Sequence, residues 1–301
     1  MKNLLLTGAL KLNKKQFTQL EEIGYHITFV QEERQKLKID VSGFHAVVCN
    51  GLFLHNDIKE FKSLELIQLT SAGYDRVPVE YIQEKGIRLF NAKGVYSIPM
   101  AEWVVLKILE IYKKSRVFYK NQERHQWEKH RDLLELTGKT AVIIGFGNVG
   151  EEVAKRLKAF DVKIIGVGRR MIQSDLLDEF HLIQDIEEVL NKGDIIILTL
   201  PLTDETRGLI DQRILSVINC HAVLVNVSRG GIIQEKALID ALKEGKFKGV
   251  ALDVFQEEPL KESPLWDFEN VIVTPHNSFV SDKVRERLFD VVVGNLKKNL
   301  G

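Results

Sequence analysis

Three polar residues late in the chain each stand directly after an apolar stretch. Arg229 occurs in "NVSRGG", Glu258 in "LDVFQEEP" and His276 in "VTPHNS". An arginine can hold a carboxylate and polarise an adjacent carbonyl, a histidine can donate a proton near neutral pH, and a glutamate beside the histidine favours its protonated form. Taken singly, each has an ordinary structural explanation: a turn, an exposed acid, or a histidine at a strand end. Together they fit the reduction of a keto acid, in which a cation binds the carboxylate and an acid protonates the new alkoxide.

A glycine-rich turn in the middle of the chain is typical of a dinucleotide site. Gly145, Gly147 and Gly150 form G-x-G-x-x-G between the apolar run "TAVII" and the helical pattern "NVGEEVAKRLKAF". The first glycine permits a tight turn, the second lets a pyrophosphate approach the backbone, and the third lets the helix pack against the strand. The unpaired N–H groups at the helix N-terminus would then bind the phosphates. A turn without a ligand and a methyl-donor nucleotide site are the alternatives.

The residues after the next apolar run predict which dinucleotide is preferred. NAD sites usually carry an Asp or Glu about 20 residues after the glycines. Here Gly168 stands 18 residues after Gly150, and Arg169 and Arg170 follow it. A carboxylate would repel a 2′-phosphate, whereas a guanidinium can bind one through two hydrogen bonds. We therefore predict NADP as the preferred cofactor, with NAD as the alternative if both arginines are merely solvated residues at a strand end.

Short apolar runs alternate with helical patterns along most of the chain, which predicts two α/β units with parallel sheets. Strands of the first unit are expected in "KNLLLTG", "HAVVCNG", "LELIQLTSAG" and "GIRLFNA". Six near-continuous apolar runs between "TAVIIGFG" and "VIVTPH" suit a second sheet that is covered on both faces. One long helix is predicted from Pro99, in "PMAEWVVLKILEIYKKSRVFYKNQ", and the boundary between the units is expected near it. An amphipathic helix that closes the chain could return to the first unit.

Composition restricts the class of protein. The 301 residues are 45% hydrophobic and 28% charged, as in a soluble globular protein of one large or two ordinary domains. Lys+Arg and Asp+Glu both number 42, which gives no electrostatic reason to expect nucleic acid or an anionic membrane as a partner. Cys49 and Cys220 stand in apolar runs without metal-type spacing, so we expect both to be buried and reduced and predict no metal site. No stretch approaches the ~20 apolar residues of a membrane span, so the cytoplasm is the expected location.

Several of these motifs, in this order, resemble the D-isomer-specific 2-hydroxyacid dehydrogenases. The resemblance covers nearly the whole chain and is carried by "TGKTAVIIGFGNVGEEVAKRLKAF", "LPLTDETRGLI", "NVSRGGIIQEKALIDAL", "GVALDVFQEEPL" and "PLWDFENVIVTPH". It implies an NAD(P)-dependent enzyme that interconverts a small 2-keto acid and a D-2-hydroxy acid. It also implies two Rossmann-like domains with a cleft between them. Residues 1–96 would bind substrate, residues 97–277 would bind the dinucleotide, and residues 278–301 would form a C-terminal helix that returns to the substrate domain.

The resemblance also implies a role for individual residues. Arg229 would bind the substrate carboxylate, His276 would be the acid–base, and Glu258 would be its partner. Asp253 would contact the nicotinamide carboxamide. Together with the glycine turn and the two arginines predicted above, these residues give the full set of expected cofactor contacts: Gly145, Phe146, Gly147, Asn148, Val149, Gly150, Arg169, Arg170, Leu200, Pro201, Thr206, Val227 and Asp253. The implied substrate contacts are Asn50, Gly51, Ala72, Gly73 and Tyr96, although Tyr96 could instead be a packed aromatic residue at a hinge.

The identity of the substrate stays open at this point. Glyoxylate, hydroxypyruvate, a branched-chain keto acid and a phosphorylated acid are all compatible with the motifs. Phosphoglycerate is less favoured, because only Arg76 and His55 lie near the substrate loops to hold a phosphate. Phe279 stands where the family has small residues, and it could crowd the cleft or fill a groove of a neighbouring subunit. The apolar face of "AEWVVLKILEIY" predicts a homodimer. A dinucleotide-sensing binding protein, as among the corepressor relatives of the family, is the main alternative function, and the Arg, Glu and His set disfavours a methyltransferase.

Overall fold

The chain divides into two compact units. A computed structural model describes residues 1–300. Unit 1 consists of Met1–Tyr96 together with the segment from Ser281 onwards, and unit 2 is Ser97–Val280. Each unit is an α/β structure built on a parallel sheet, which confirms the predicted fold class. The implied catalytic residues all belong to unit 2, and the implied substrate contacts all belong to unit 1.

The sheet of unit 1 has five parallel strands in the order β2-β1-β3-β4-β5. They are β1 (Lys2–Thr7), β2 (Tyr25–Val30), β3 (Ala46–Cys49), β4 (Leu66–Leu69) and β5 (Arg88–Phe90), and the helices of this unit are α1 (Lys14–Glu22), α2 (Val79–Glu84) and α9 (Val284–Lys297). Alternate residues of β1 enter different cores: Leu4 and Leu6 pack on the α9 side, whereas Leu5 packs on the opposite face. The sheet is therefore covered on both faces, as its continuous apolar strands require.

The sheet of unit 2 has seven parallel strands in the order β12-β11-β10-β9-β6-β7-β8. They are β6 (Thr140–Ile144), β7 (Lys163–Gly168), β8 (Glu179–Leu182), β9 (Ile195–Leu198), β10 (Val223–Asn226), β11 (Gly249–Leu252) and β12 (Val271–Val273). The helices are α3 (Ser97–Tyr112), α4 (Ser115–Glu123), α5 (Asn148–Lys158), α6 (Ile186–Leu190), α7 (Gln212–Val217) and α8 (Glu235–Lys243). The chain order reverses at β6, between β7 and β9, and ligands of open α/β sheets bind at the carboxyl ends of strands at such a switch point.

Three details of the predicted elements are wrong. The single long helix is two helices, because Lys114 adopts a left-handed conformation with φ 52° between α3 and α4. The strands β2 and β8 were not predicted; both are edge strands whose residues are mostly half-exposed. An edge strand with one wet face carries mixed polar and apolar residues, so its pattern is weaker than that of a central strand.

The two cysteines differ in their surroundings. Cys49 is buried at the end of β3, and desolvation raises the pKa of its thiol well above the usual value. Cys220 is exposed, so the prediction that it is buried is wrong: it lies in the turn between α7 and β10. Among residues 1–300, no His, Cys, Asp and Glu side chains are grouped in a way that could hold a metal ion. Within the same range, no helix is both long and apolar enough to cross a membrane.

Candidate active site

The glycine turn, residues 145–150, joins β6 to α5 at the switch point of the unit 2 sheet. Gly145 has φ 96°, and a Cβ placed on it would lie 2.5 Å from the backbone nitrogen of Leu200. A Cβ on Gly150 would lie 2.9 Å from the carbonyl oxygen of Gly145. No atom lies within 4 Å of the Cβ position of Gly147. The first and third glycines are thus required for packing, while the second leaves open space at the N-terminus of α5 that fits a dinucleotide pyrophosphate.

Most of the other implied cofactor residues of unit 2 pack in its cores or form hydrogen bonds within the protein. Phe146, Leu200 and Val227 have buried side chains in the apolar cores of unit 2. The Thr206 hydroxyl donates to the Pro201 carbonyl at 2.7 Å and accepts from the Thr203 N–H at 2.8 Å. Leu200, Pro201 and Thr206 belong to the loop after β9, whereas Phe146 follows β6 and Val227 follows β10. The predicted contacts of all five with a cofactor stay predictions.

Arg169 and Arg170 lie exposed directly after β7, next to β6 in the sheet. The Arg169 Nη1 atom lies 3.8 Å from the Glu205 Oε2 atom, and both side chains are more than two-thirds exposed. Such an exposed pair contributes little to stability. Because Arg169 and Arg170 are both exposed, both guanidinium groups are accessible to an anionic ligand. The sequence interpretation missed Glu205, because no local pattern indicates that the "TDET" segment approaches the end of β7.

The backbone of Arg229 is positioned by the buried side chain of Asn226 and by Gly230, the residue that follows Arg229. The Asn226 Oδ1 atom accepts from the Ser228 N–H at 3.0 Å and the Ser228 hydroxyl at 2.7 Å, while its Nδ2 donates to the Arg229 carbonyl at 3.2 Å. A Cβ on Gly230 would lie 1.8 Å from the Phe255 carbonyl carbon. Any larger residue at Gly230 would therefore push the arginine turn away from the segment that carries Glu258.

His276 and Glu258 form a direct pair. The His276 Nδ1 atom donates to the Glu258 Oε2 atom at 2.8 Å, and both side chains are about one-third exposed. The other oxygen of Glu258 accepts from the Phe255 N–H at 3.1 Å, which fixes the carboxylate. The Phe279 ring lies edge-on to the imidazole, with 6.0 Å between the ring centroids. Because Nδ1 is engaged, Nε2 is the ring nitrogen through which a proton can be exchanged with a ligand.

Asp253 holds the segment that carries His276. Its fully buried carboxylate accepts from the Thr274 hydroxyl at 2.5 Å, the Asn277 N–H at 2.8 Å and the Ser278 N–H at 2.9 Å. The His276 N–H donates to the Asp253 carbonyl at 2.8 Å, and His276 itself has φ 50°. Sequence interpretation missed this positioning role, and the predicted contact of Asp253 with a nicotinamide carboxamide stays a prediction.

The implied substrate residues of unit 1 follow neighbouring strands. Asn50 and Gly51 come directly after β3, and Ala72 and Gly73 come shortly after β4, so both loops lie at the carboxyl edge of one sheet. The Ala72 carbonyl accepts from the Asn91 side-chain amide at 2.5 Å, and the Gly73 carbonyl accepts from the Ser71 hydroxyl at 3.1 Å.

Tyr96 is tied to the same edge of unit 1. Its hydroxyl donates to the Thr70 carbonyl, and burial raises the pKa of its phenol to about 12. The phenol is therefore neutral at physiological pH: its single proton is donated to the Thr70 carbonyl, and it supplies no charge.

Comparison with known proteins gives consistent relatives. A family model described as "D-isomer specific 2-hydroxyacid dehydrogenase, NAD binding domain" matches residues 105–278, more than half of the chain. The D-3-phosphoglycerate dehydrogenase of Methanocaldococcus jannaschii is 37% identical over 258 residues, which are 84% of this chain and 49% of that protein. The hydroxypyruvate reductase of Thermotoga maritima is 33% identical over 297 residues, 97% of this chain and 94% of that protein. The chain thus spans about half the length of the first relative and nearly all of the second.

The solved structures include similar chains of nearly the same length. The NADPH-dependent glyoxylate/hydroxypyruvate reductase of Sinorhizobium meliloti, in complex with citrate, is 26% identical with a TM-score of 0.83, and the match covers 100% of this chain and 95% of that one. The two-unit architecture is therefore shared along the whole chain.

Proposed function

The chain belongs to the D-isomer specific 2-hydroxyacid dehydrogenase family, and from that premise we propose that it is an NAD(P)-dependent oxidoreductase that reduces a small 2-keto acid to a D-2-hydroxy acid with NADPH. One observation carries the proposal. The His276–Glu258 pair, at 2.8 Å, stands in the same unit as the glycine turn, at the carboxyl ends of strands where dinucleotides bind. Membership of this family supports the class of reaction that the sequence motifs predicted.

His276 is the proton donor in this proposal. The bound nicotinamide supplies the hydride that forms the new C–H bond at C2 of the keto acid. His276 donates the Nε2 proton to the keto oxygen, so that the carbonyl becomes a hydroxyl and the imidazolium becomes a neutral imidazole. Glu258, whose carboxylate is fixed by the Phe255 N–H, orients the ring through its hydrogen bond with Nδ1.

Arg229 binds the substrate carboxylate and polarises the keto group in the same proposal. Its guanidinium can form two parallel hydrogen bonds with a carboxylate, a geometry that lysine does not reproduce. The Asn226 side chain and the close packing of Gly230 support this role, because they fix the backbone on both sides of Arg229.

The preference for NADPH rests on the end of β7. Arg169 and Arg170 stand where NAD sites carry an acid, and both are accessible. A related structure at 26% identity is of an enzyme described as NADPH-dependent. We propose that the two guanidinium groups bind the adenosine 2′-phosphate and that NADH is used less well.

Hydroxypyruvate and glyoxylate are the substrates that we propose. Hydroxypyruvate is named for the Thermotoga maritima reductase, and both acids are named for the Sinorhizobium meliloti enzyme; each of these proteins matches nearly the full length of this chain. The loops at Asn50–Gly51 and Ala72–Gly73 would contact the substrate. A 3-phosphorylated acid is the alternative, since the phosphoglycerate dehydrogenase is the relative with the higher identity.

The test is a spectrophotometric panel. NADPH and NADH are each combined with glyoxylate, hydroxypyruvate, pyruvate, a branched-chain 2-keto acid and 3-phosphohydroxypyruvate, and the oxidation of the nicotinamide is followed. We expect the highest kcat/KM with NADPH and hydroxypyruvate or glyoxylate. Binding of NADPH without turnover of any 2-keto acid would overturn the proposal in favour of a dinucleotide-sensing protein.

We also propose a homodimer in a reducing cytoplasm. The helices α3 and α4 and the segment after them expose Leu106, Tyr119 and Trp127, which is 95% exposed. In the same region, side-chain nitrogens of Asn121 and His130 are buried without a hydrogen-bond partner. A second copy of the chain would cover these apolar side chains. Light scattering at micromolar concentration should give twice the monomer mass, and a Trp127→Ala variant should dissociate more readily.

A further inference from the structure

Glu33 is a buried carboxylate that the proposed mechanism does not use. Its side chain lies in unit 1, after β2, and the residue is 6% exposed. Its Oε1 atom accepts from the Gly51 N–H at 2.6 Å, and its two oxygens lie 3.2 and 3.1 Å from the Asn50 nitrogen. Its Oε2 atom also accepts from the Thr7 hydroxyl at 2.5 Å. One carboxylate therefore ties the ends of β1 and β3 to the segment after β2.

The carboxylate of Glu33 is stabilised by neutral hydrogen-bond donors and not by a cation. Among residues 1–300, no lysine, arginine or histidine forms an ion pair with it. Burial of a carboxylate without a cation is costly unless N–H and O–H donors replace the water that it loses. Two consecutive backbone N–H groups and one hydroxyl supply that replacement, and such charge-assisted hydrogen bonds are stronger than neutral ones. The carboxylate and the backbone of Asn50–Gly51 thus fix each other.

Close packing between the end of β1 and the segment after β2 places Glu33 in this position. The Gly8 N–H donates to the Val30 carbonyl at 2.9 Å. A Cβ on Gly8 would lie 2.1 Å from the Gln31 carbonyl oxygen, so only glycine lets the segment after β2 approach the end of β1 so closely.

The side chain of Asn50 plays no part in holding its own loop. Its Oδ1 atom is buried and has no hydrogen-bond partner, and the loop is held through the backbone N–H groups that Glu33 accepts. A buried amide oxygen without a donor costs free energy, so the side chain of Asn50 does not stabilise the loop.

We propose that Glu33 is a positioning residue of the 2-keto acid site, which sets the backbone of Asn50 and Gly51 so that this loop can contact the substrate. The inference rests on the proposed function, because it takes the Asn50–Gly51 loop as part of the substrate site. Glu33 itself touches neither substrate nor cofactor in this role.

The test compares Glu33→Gln with Thr7→Val. Glutamine replaces one carboxylate oxygen by an NH₂ group and removes the charge, so at least one bond to the Asn50–Gly51 backbone is lost or weakened. Valine removes the Thr7 hydroxyl but leaves both bonds to the loop, which makes it the matched control. If Glu33→Gln does not fold, Glu33→Asp, which retains the charge but shortens the reach, takes its place.

Three measurements test the proposal. We expect the KM for the 2-keto acid to rise about tenfold or more in Glu33→Gln and less than about threefold in Thr7→Val. The Kd for NADPH should stay within about twofold in both, because the glycine turn lies in unit 2. Amide hydrogen exchange in residues 50–54 should accelerate about tenfold in Glu33→Gln relative to the wild type, with β3 unchanged as the internal reference.

The outcomes separate the two proposals. Unchanged exchange in residues 50–54 overturns the inference, and so does accelerated exchange with an unchanged KM, because the loop is then not part of the substrate site. If the wild type turns over no 2-keto acid, the proposed function fails, and the exchange measurement alone decides whether Glu33 sets the loop.

Discussion

Among the single residues of the site, His276 has the role that is most sharply defined by its contacts. Its Nδ1 atom is committed to Glu258, and its backbone N–H donates to the Asp253 carbonyl. We predict that His276→Gln lowers kcat for keto acid reduction by a factor of about 10²–10⁴, the usual contribution of acid–base catalysis. Steady-state kinetics measure this loss. The Kd for NADPH, measured by fluorescence, should change little, and a kcat close to that of the wild type would remove His276 from the mechanism.

The two arginines after β7 are the residues that we propose to set the cofactor preference. In an Arg169→Asp, Arg170→Ala double variant, a carboxylate replaces the guanidinium that would meet the 2′-phosphate, so we predict that kcat/KM for NADPH falls by at least tenfold while that for NADH is kept or rises. The ratio of the two kcat/KM values measures the effect. Glu205→Gln serves as the control, because it removes the partner of Arg169 without touching either arginine. A double variant that still prefers NADPH contradicts the assignment.

The residues that the sequence could predict share a simple property. Arg229, Glu258 and His276 each follow a strand, so their position at one sheet edge comes from the order of the strands alone. The sequence did not reveal the contacts of three other residues. Asn226 holds the turn that follows it through side-chain hydrogen bonds, whereas Asp253 and Glu33 hold segments that are distant in sequence. Glu33, for example, meets Gly51 across 18 residues of sequence, and β1 lies between β2 and β3, the strands that precede them.

At the scale of elements, the glycine turn joins β6 to α5 and forms the dinucleotide site that we propose. Gly145 and Gly147 stand two residues apart but meet different constraints. We predict that Gly145→Ala destabilises the fold, because φ 96° and the Leu200 backbone at 2.5 Å both exclude a Cβ. Gly147→Ala should fold with nearly the wild-type melting temperature but bind NADPH at least tenfold more weakly, since its Cβ would occupy the open space that fits the pyrophosphate.

The two variants control for each other. Thermal unfolding by circular dichroism and NADPH titration are measured on both. If Gly147→Ala binds NADPH as the wild type does, the open space at Gly147 is not the pyrophosphate site.

Element boundaries were predictable only where the sequence carries a strong signal. The central strands β6, β9, β10 and β11 are continuous apolar runs, and the first turn of α5 is marked by glycines. The break between α3 and α4 carries no glycine or proline: a lysine adopts the left-handed conformation there, at a cost that tertiary packing must offset. Propensity alone therefore favoured one continuous helix over residues 99–122.

In the molecule as a whole, unit 1 is built from both ends of the chain. The helix α9 contributes Leu288, Phe289, Val292, Val293 and Leu296 to the core that also contains Leu4, Leu6 and Leu66. The Tyr25 hydroxyl donates to the Leu296 carbonyl at 3.0 Å, and desolvation is the main cause that raises the pKa of this phenol. Folding of unit 1 thus requires the chain to be complete through α9, although unit 2 is continuous in sequence.

This arrangement predicts that stability and cofactor binding can be separated. Phe289→Ala removes a side chain that is 5% exposed from the core of unit 1, and we expect it to lower the free energy of unfolding of that unit by about 3–5 kcal/mol. Calorimetry should then resolve a shifted transition for unit 1 and a nearly unchanged one for unit 2, because the core of unit 2 contains no residue of α9. NADPH should raise the unit 2 transition in the variant as it does in the wild type. A Phe160→Ala variant, which removes an exposed phenylalanine of unit 2 outside the proposed dimer surface, is the matched control and should leave the unit 1 transition in place. If Phe289→Ala abolishes NADPH binding together with the stability of unit 1, the two units fold as one cooperative body, and the cofactor site depends on α9 after all.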